Sequence, residues 1–391
     1  MIKENRVAVA ASKRSAIGKM PGGLSGVEEI SLLAQVFKET AKSSKCVKIQ
    51  NAVTGSSFPN ERDNLCRKAI LYAGLPETIS AATISKTCAS SDEALASGYY
   101  QILSGKADCM LAGGIEKSNN SSYILCHMKK TIKTQIKGTQ PFYEDIAAGI
   151  QENDMVLIAE MLSRKYDITR EQQDDFTLRS MKKALEAEKK GYFKEEILPV
   201  SKDGSPEHCV SHDEMLYANR KEEWIRTANP LYLRDGVLTQ YNTSPVCEGA
   251  AAMLLINAAI AEERGVEYEY FIRDIFMVGV AKKDMGRSMS VCVEEILRRN
   301  HLTLSDIDLI EINESSAAQA IFILHELNLD EEKVNVNGGN LALGYPIGMC
   351  GMRMNISLLH EMKRRKAVFG LSVICSGGNM ANAVIFQRKE S

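Results

Sequence analysis

Short apolar runs alternate with longer amphipathic segments from the start of the chain. "RVAVAAS" (6–12) has the unbroken apolar character of a buried strand. "VEEISLLAQVFKETAKSS" (27–44) brings apolar residues back every third or fourth position, which predicts a helix. A strand in "IQNAVTGSS" follows, then a helix in "RDNLCRKAILYAGLP" stopped by Gly74 and Pro76. Next come a strand in "AATISKT", a helix from Cys88 to about Leu103, and a strand in "ADCMLAGG". The last third has the same rhythm. "EYFIRDIFMVGVA", "IDLIEINES" and "KVNVNGG" read as strands, and "SVCVEEILRRNHL", "AAQAIFILHELNL" and "GMCGMRMNISLLHEMKRRK" as helices. "AVFGLSVICSGGNMANAVIFQR" closes the chain as two strands around a Gly-rich turn. This alternation predicts an α/β protein with a largely parallel sheet covered on both faces. Two βαβαβ-type halves imply an internal structural repeat. The stretch 117–247 breaks the rhythm with "EKSNNSSY", the lysine-rich "MKKTIKTQIKG" and one charged helix, "TREQQDDFTLRSMKKALEAEKKG". The chain therefore divides into an N-terminal half (1–116 and 248–267), an inserted loop domain (117–247) and a C-terminal half (268–391).

Composition narrows the class. Apolar residues make up 45% and charged residues 25% of the 391 positions, enough for a large core. The net charge of -2 shows no bias toward nucleic acid or an anionic membrane, and no apolar run reaches the ~20 residues of a membrane span. "MIKENRVAVAASKR" has neither a signal-peptide core nor a transit-peptide bias, so a cytoplasmic location is expected. The ten cysteines follow no framework spacing and are expected to be reduced thiols.

Four segments could carry chemistry. A strand-to-helix junction would set Cys88 at a helix N-terminus, where free amides and the positive dipole end favour a thiolate, with Lys86 close by. A buried structural thiol is the other reading of Cys88. "NVNGGNLALGYPIGMCG" (335–351) encloses Tyr345 among glycines that allow close backbone approach. "ICSGGN" (374–379) places Cys375 before a turn whose free amides could hold an oxyanion. "EINESSAAQ" (311–319) carries Asn313 and Glu314 into a helix. All four are expected at strand C-terminal ends, where sites form in parallel sheets. "HCVSH" (208–212) has ligand-like spacing, but with no second cluster no metal is expected.

Taken together, these segments resemble the thiolase family along nearly the whole chain. "RSAIG", "SKTCASS", "LAGGIE", "AEMLSRKYDITREQQDDFTLRSMKKA", "CEGAAAMLL", "DIDLIEINESSAAQ", "NVNGGNLALGYPIG" and "CSGGN" follow in the family's order. The resemblance implies duplicated halves in a five-layered α-β-α-β-α arrangement, with the loop domain inserted in the first half. It implies an acyltransferase acting on acyl-CoA thioesters, with coenzyme A part of the substrate and no further cofactor. Cys88 would take the acyl group, and Cys375 would move the proton at the second substrate's α-carbon. The amides of Cys88 and Gly377 would form one oxyanion hole, and Asn313 would hold a water in the other. Ser244 matches a position near the pantetheine arm, and Met155 and Gly344 join it as candidates for substrate contact. Lysines 129, 130, 133 and 137 could meet CoA phosphates or remain solvated surface charge. A homodimer or homotetramer is implied.

Departures from the family bear on the reaction. Its "GHP" is "GYP" here, so Tyr345 stands in place of a histidine, and a phenol with a reference pKa of ~10 is a poor base. "NESS" replaces "NEAF", which puts Ser316 where an aromatic wall is usual, and Asp154 stands where a histidine near CoA is common. Three functions follow. The chain could be a thiolase-type acyltransferase that makes or breaks a C–C bond, an enzyme of acyl transfer without Claisen chemistry, or a non-catalytic subunit that binds CoA or a partner.

Overall fold

The computed structural model of the chain describes residues 6–45, 47–57, 64–117, 155–202, 209–231, 233–281, 284 and 286–390. Lysines 129, 130, 133 and 137, Asp154 and His208 lie outside them, and Met155 is described by its backbone alone. The first half contains β1 (Val7–Ser15), α1 (Glu29–Ala41), β2 (Asn51–Ser56), α2 (Leu65–Tyr72), β3 (Ser80–Ile84), α3 (Ser90–Leu103) and β4 (Cys109–Glu116). Then come α4 (Met155–Lys165), α5 (Arg170–Lys189), β5 (Ile197–Leu198) and α6 (Glu222–Thr227), followed by β6 (Gly249–Asn257) and α7 (Ala258–Glu263). The second half is β7 (Tyr270–Gly279), α8 (Ser288–Arg299), β8 (Leu309–Ile312), α9 (Ala317–Glu326), α10 (Asn340–Leu343), α11 (Cys350–Arg365), β9 (Phe369–Ser376) and β10 (Met380–Arg388).

The strands run in the order β3-β2-β4-β6-β1-β7-β10-β9-β8, with β5 pairing beside β1. A largely parallel sheet is not what forms. Apart from the short β1–β5 pair, parallel pairing is confined to the flanks, where β2 lies between β3 and β4 and β8 lies beside β9. The centre is antiparallel: β6 returns between β4 and β1, and β10 between β9 and β7. The reason is local for β10, because the turn Gly377–Asn379 is too short for the crossover that a parallel neighbour needs. The two half-sheets meet through only Val7↔Ile272 and Ala8↔Phe271.

Side chains on successive strand positions point to opposite faces, so each half-sheet buries both. Leu111 and Leu254 pack outward under Leu33 and Phe37 of α1 and Ile70 of α2. Their neighbours Met110 and Met253 pack inward on Leu95 of α3 and Ile356 of α11, which also cover Ile272 and Phe386 of the other half-sheet. Val293 of α8 and Ile321 of α9 cover its outer face at Val373 and Ile385. The result is the expected α-β-α-β-α stack, with α3 and α11 as its middle layer.

The inserted segment is fixed to the first half by a buried cation. Arg14 reaches Glu196 at 2.6 Å and Asp213 at 2.7 Å, and β5 pairs with β1 at the same residues, Arg14 and Ser15. The predicted strand in "KVNVNGG" does not form. Val334 makes a single bridge to Ile310, and positive φ at Asn335 and Gly338 turns the chain into a loop. Among the described residues no helix is long and apolar enough to cross a membrane.

Candidate active site

The nucleophile candidate sits on a strained turn. After β3 the chain passes Lys86 and then Thr87, a β-branched residue at φ 47°, a conformation that costs on the order of 1–3 kcal/mol. Ser90 Oγ accepts from the Lys86 amide at 2.8 Å and donates to the Thr87 carbonyl at 2.6 Å. The turn is also held from the other half of the molecule. Ser376 Oγ donates to the Lys86 carbonyl at 2.6 Å, the Thr87 and Ser376 hydroxyls hydrogen-bond, and the Gly377 amide donates to Thr87 Oγ1 at 3.0 Å. Gly55 lets the start of α3 approach β2, since a Cβ there would lie 2.1 Å from the Ser90 carbonyl carbon.

Asn313 follows β8, and its amide donates to the Val373 carbonyl of β9 at 3.0 Å. Its side-chain Nδ2 donates to Cys375 Sγ at 3.3 Å and to Tyr345 Oη at 3.4 Å. Tyr345 is held by backbone bonds to Pro245 at 2.8 Å and Cys247 at 3.1 Å, and its side chain packs against Cys88. Cys88, Tyr345, Asn313 and Cys375 therefore come together, one from the first half and three from the second. Gly344 next to Tyr345 has φ 103°, and a Cβ there would lie 2.5 Å from Cys247 Sγ. Its role on this geometry is to place Tyr345.

Burial dominates the electrostatics. It pushes the Cys88 thiol up to about 12, helped by neighbouring Cys375 and opposed by the Tyr345 hydroxyl and the residue's own amide. Burial also raises Tyr345 well above 10, reinforced by Cys88, Cys350 and Cys375, so the phenol is a donor and not a base. Cys375 is raised by burial against the hydrogen bonds of Asn313 and Ser315. The expected thiolate at a helix N-terminus is thus not the resting state. Cys88 lies in a single 3-10 turn ahead of α3, where desolvation outweighs the helix end. Lys86 gives no help either, since its ammonium pairs with Glu93 at 2.7 Å.

Other predicted residues fall outside this cluster of contacts. Ser244 Oγ donates to the Glu314 carbonyl, and Ser316 caps α9 by accepting from the Gln319 amide at 3.2 Å. Tyr345 follows the one-turn helix α10 and not a strand, because the predicted strand before it is a loop. The expectation that all four segments end strands fails there. His212 packs edge-on against Tyr217, with ring centroids 4.7 Å apart.

Several residues at the centre escaped the sequence reading. Cys350 packs in the same small cluster as Cys88, Ala89 and Tyr345. Asn340 Nδ2 donates to Asn313 Oδ1 and, at 3.2 Å, to Cys350 Sγ. Arg353, fully buried on α11, donates to Asn340 Oδ1 at 2.5 Å and pairs with Glu311 at 3.4 Å. Glu116 accepts from the Gly348 amide at 2.8 Å, and burial pushes its carboxyl up to about 7. The only sequence signal was their presence in quoted segments, Asn340 and Cys350 around Tyr345, Arg353 in the helix that follows and Glu116 at the end of "LAGGIE".

A duplicated α/β fold in which two thiols from opposite halves meet one phenol and one carboxamide defines a thiol-based site of acyl-transfer type. Profiles described as the thiolase N-terminal domain and the thiolase C-terminal domain match residues 7–259 and 267–388. The chain belongs to the thiolase family. It is 34% identical over 391 residues to an acetyl-CoA acetyltransferase of Chromobacterium violaceum, covering 98% of this chain and 99% of that one. It is 33% identical over 393 residues to a probable acetyl-CoA acyltransferase of Staphylococcus aureus, again covering 98% and 99%. Its structure is similar to that of the Bacillus anthracis acetyl-CoA acetyltransferase, at TM-score 0.93 and 32% identity over 99% of both chains. Human mitochondrial 3-ketoacyl-CoA thiolase gives TM-score 0.89 at 28% identity, covering 98% of this chain and 99% of that one.

Proposed function

We propose that the protein is a thiolase-type acyltransferase that moves acyl groups between thioesters through an acyl-Cys88 intermediate. The carrying observation is that Cys88 and Cys375, from opposite halves, face one another across Asn313 and Tyr345. Cys88 sulfur attacks the thioester carbonyl, the carbonyl–sulfur bond of the CoA ester breaks, and CoA leaves as the thiol with the proton Cys88 gave up. Cys375, acting as the thiolate, then takes a proton from the α-carbon of a second acyl-CoA. That carbon attacks the acyl-Cys88 carbonyl, the carbonyl–sulfur bond breaks, and the departing Cys88 sulfur receives the proton that Cys375 took. The amides of Cys88 and Gly377 are the donors proposed for the first oxyanion. Gly377 would exchange Thr87 Oγ1 for the substrate oxygen as it binds. Asn313 Nδ2 is the donor proposed for the second. Ser244, Met155 and Gly344 remain proposed neighbours of the CoA arm. The chemistry asks for no prosthetic group beyond the CoA thioester, and a reducing cytosol would keep both thiols free. Partnering as a homodimer or homotetramer belongs to the same proposal.

Incubation with acetyl-CoA is expected to leave an acetyl adduct on Cys88, seen by intact mass and lost in Cys88→Ala. No adduct with any acyl-CoA would overturn the reading. Tyr345 favours a second one, since a phenol held protonated replaces the imidazole: acyl transfer without a new C–C bond. If the adduct forms but acetoacetyl-CoA appears only in Tyr345→His, the second reading stands.

A further inference from the structure

The groups behind the nucleophile all donate in one direction. Arg353 donates to Asn340 Oδ1, Asn340 Nδ2 donates to Asn313 Oδ1, and Asn313 Nδ2 donates to Tyr345 Oη at 3.4 Å. The Tyr345 hydroxyl, its oxygen occupied as an acceptor, lies on a side chain packed against Cys88, which leaves its proton to be offered to the sulfur. We propose that these residues form a donor chain running from the Arg353 guanidinium to Cys88 sulfur, and that Asn340 is the positioning residue that orients Asn313 and so arms Tyr345. The chain takes the place of the missing imidazole. This rests on the proposed use of Cys88 as nucleophile.

The direction of the chain is fixed by chemistry. A guanidinium can only donate, so Asn340 must turn its oxygen toward Arg353 and its nitrogen toward Asn313. Asn313 in turn can present only N–H to Tyr345 and Cys375, and a phenol accepting there sends its own proton onward. Successive donors polarise one another, and the last hydrogen bond strengthens as negative charge develops on sulfur. No proton leaves Arg353 or the amides; the thiol proton departs with CoA. The cation at the head is incompletely neutralised. Its partner Glu311 lies 3.4 Å away, and burial raises that carboxyl to about 8 against the pull of Arg353. The other ionisable groups facing Cys88 are Cys375 from β9, Cys350 from α11 and Glu116 from β4. All of them oppose a thiolate, which leaves the Tyr345 chain and the local amide as its support.

The test is iodoacetamide alkylation of Cys88, followed by peptide mass from about pH 6 to 10 on the full chain. Cys209, half-buried and outside the cluster around Cys88, serves as the internal control. Asn340→Ala is expected to slow Cys88 alkylation about 5-fold or more at pH 8 and to move its pH profile upward, with Cys209 unchanged. Tyr345→Phe should slow it about 10- to 100-fold, and serves alone if the first variant does not fold. Loss of mere packing would expose the thiol and speed the reaction, so the sign separates the two roles. Alkylation of Cys88 that is unchanged or faster in the folded variants overturns the donor chain. The acetyl-CoA adduct is scored separately on the unmodified protein, so either idea can fail while the other stands.

Discussion

At the scale of single residues, this interior holds polar groups that a packed middle layer would ordinarily exclude. Asp92 on α3 is fully buried, accepts from Asn355 Nδ2 at 2.8 Å through one oxygen, and leaves Oδ2 without a partner. Burial pushes its carboxyl from 3.8 up to about 7, against Asn355 and Lys86. A folded-state value above the unfolded one means that the native state binds the extra proton. The stability contribution is complete below about pH 4 and is lost as pH rises to about 7. Asp92→Asn keeps the acceptor for Asn355 and removes the charge. It should match the parent near pH 4 and exceed it above pH 7 by up to ~4 kcal/mol, read from urea midpoints across that range. Equal gains at both ends would show that packing, and not ionisation, set the difference. The same scale explains why Cys88 was recognisable and its protonation was not. Its identity lay in the order of four segments, whereas its raised thiol depends on Cys375, which lies 287 positions further along the chain.

At the scale of elements, periodicity located most helices and strands because their apolar faces serve a layered core. It failed at "KVNVNGG", where alternating valines read as a strand. Val334 is buried, but Asn335 and Gly338 adopt positive φ, which a strand cannot contain. Periodicity was also silent on strand direction, because a helix-to-strand return and a tight turn leave the same apolar pattern. The chain Arg353–Asn340–Asn313 was illegible for a related reason: its members come from α11, α10 and the end of β8, and nothing in their spacing joins them. The loop Gly344–Pro346 shows how narrowly such elements are fitted. Gly344→Ala puts a methyl at φ 103° against Cys247 and should destabilise the fold by at least ~2 kcal/mol, measured by thermal melting. It should also slow Cys88 acylation in the fraction that folds. An unchanged melting curve would mean that the loop can yield.

At the scale of the whole molecule, β3 is an edge. Among the described residues nothing pairs with its outer side, and Ser80 and Ala82 are exposed. An open strand edge on a large sheet invites pairing, which supports the proposed oligomer. Sedimentation equilibrium should give at least twice the 43.2 kDa chain mass. A monomer at micromolar concentration would remove that part of the proposal. The family was legible at this scale because its motifs span both halves, while the sheet's antiparallel centre had to be seen.

The thin seam between the half-sheets bears on when the protein becomes reactive. Two residue pairs join the sheets, the nucleophile lies on one side, and every donor in its chain lies on the other. A ribosome completes residue 88 long before residues 313, 340, 345 and 353. During synthesis the thiol is therefore an ordinary exposed cysteine, without the proposed donors and without the burial that keeps it protonated. Docking of the second half delivers both at once, so the restraint on this thiol and its proposed support are built by the same late step.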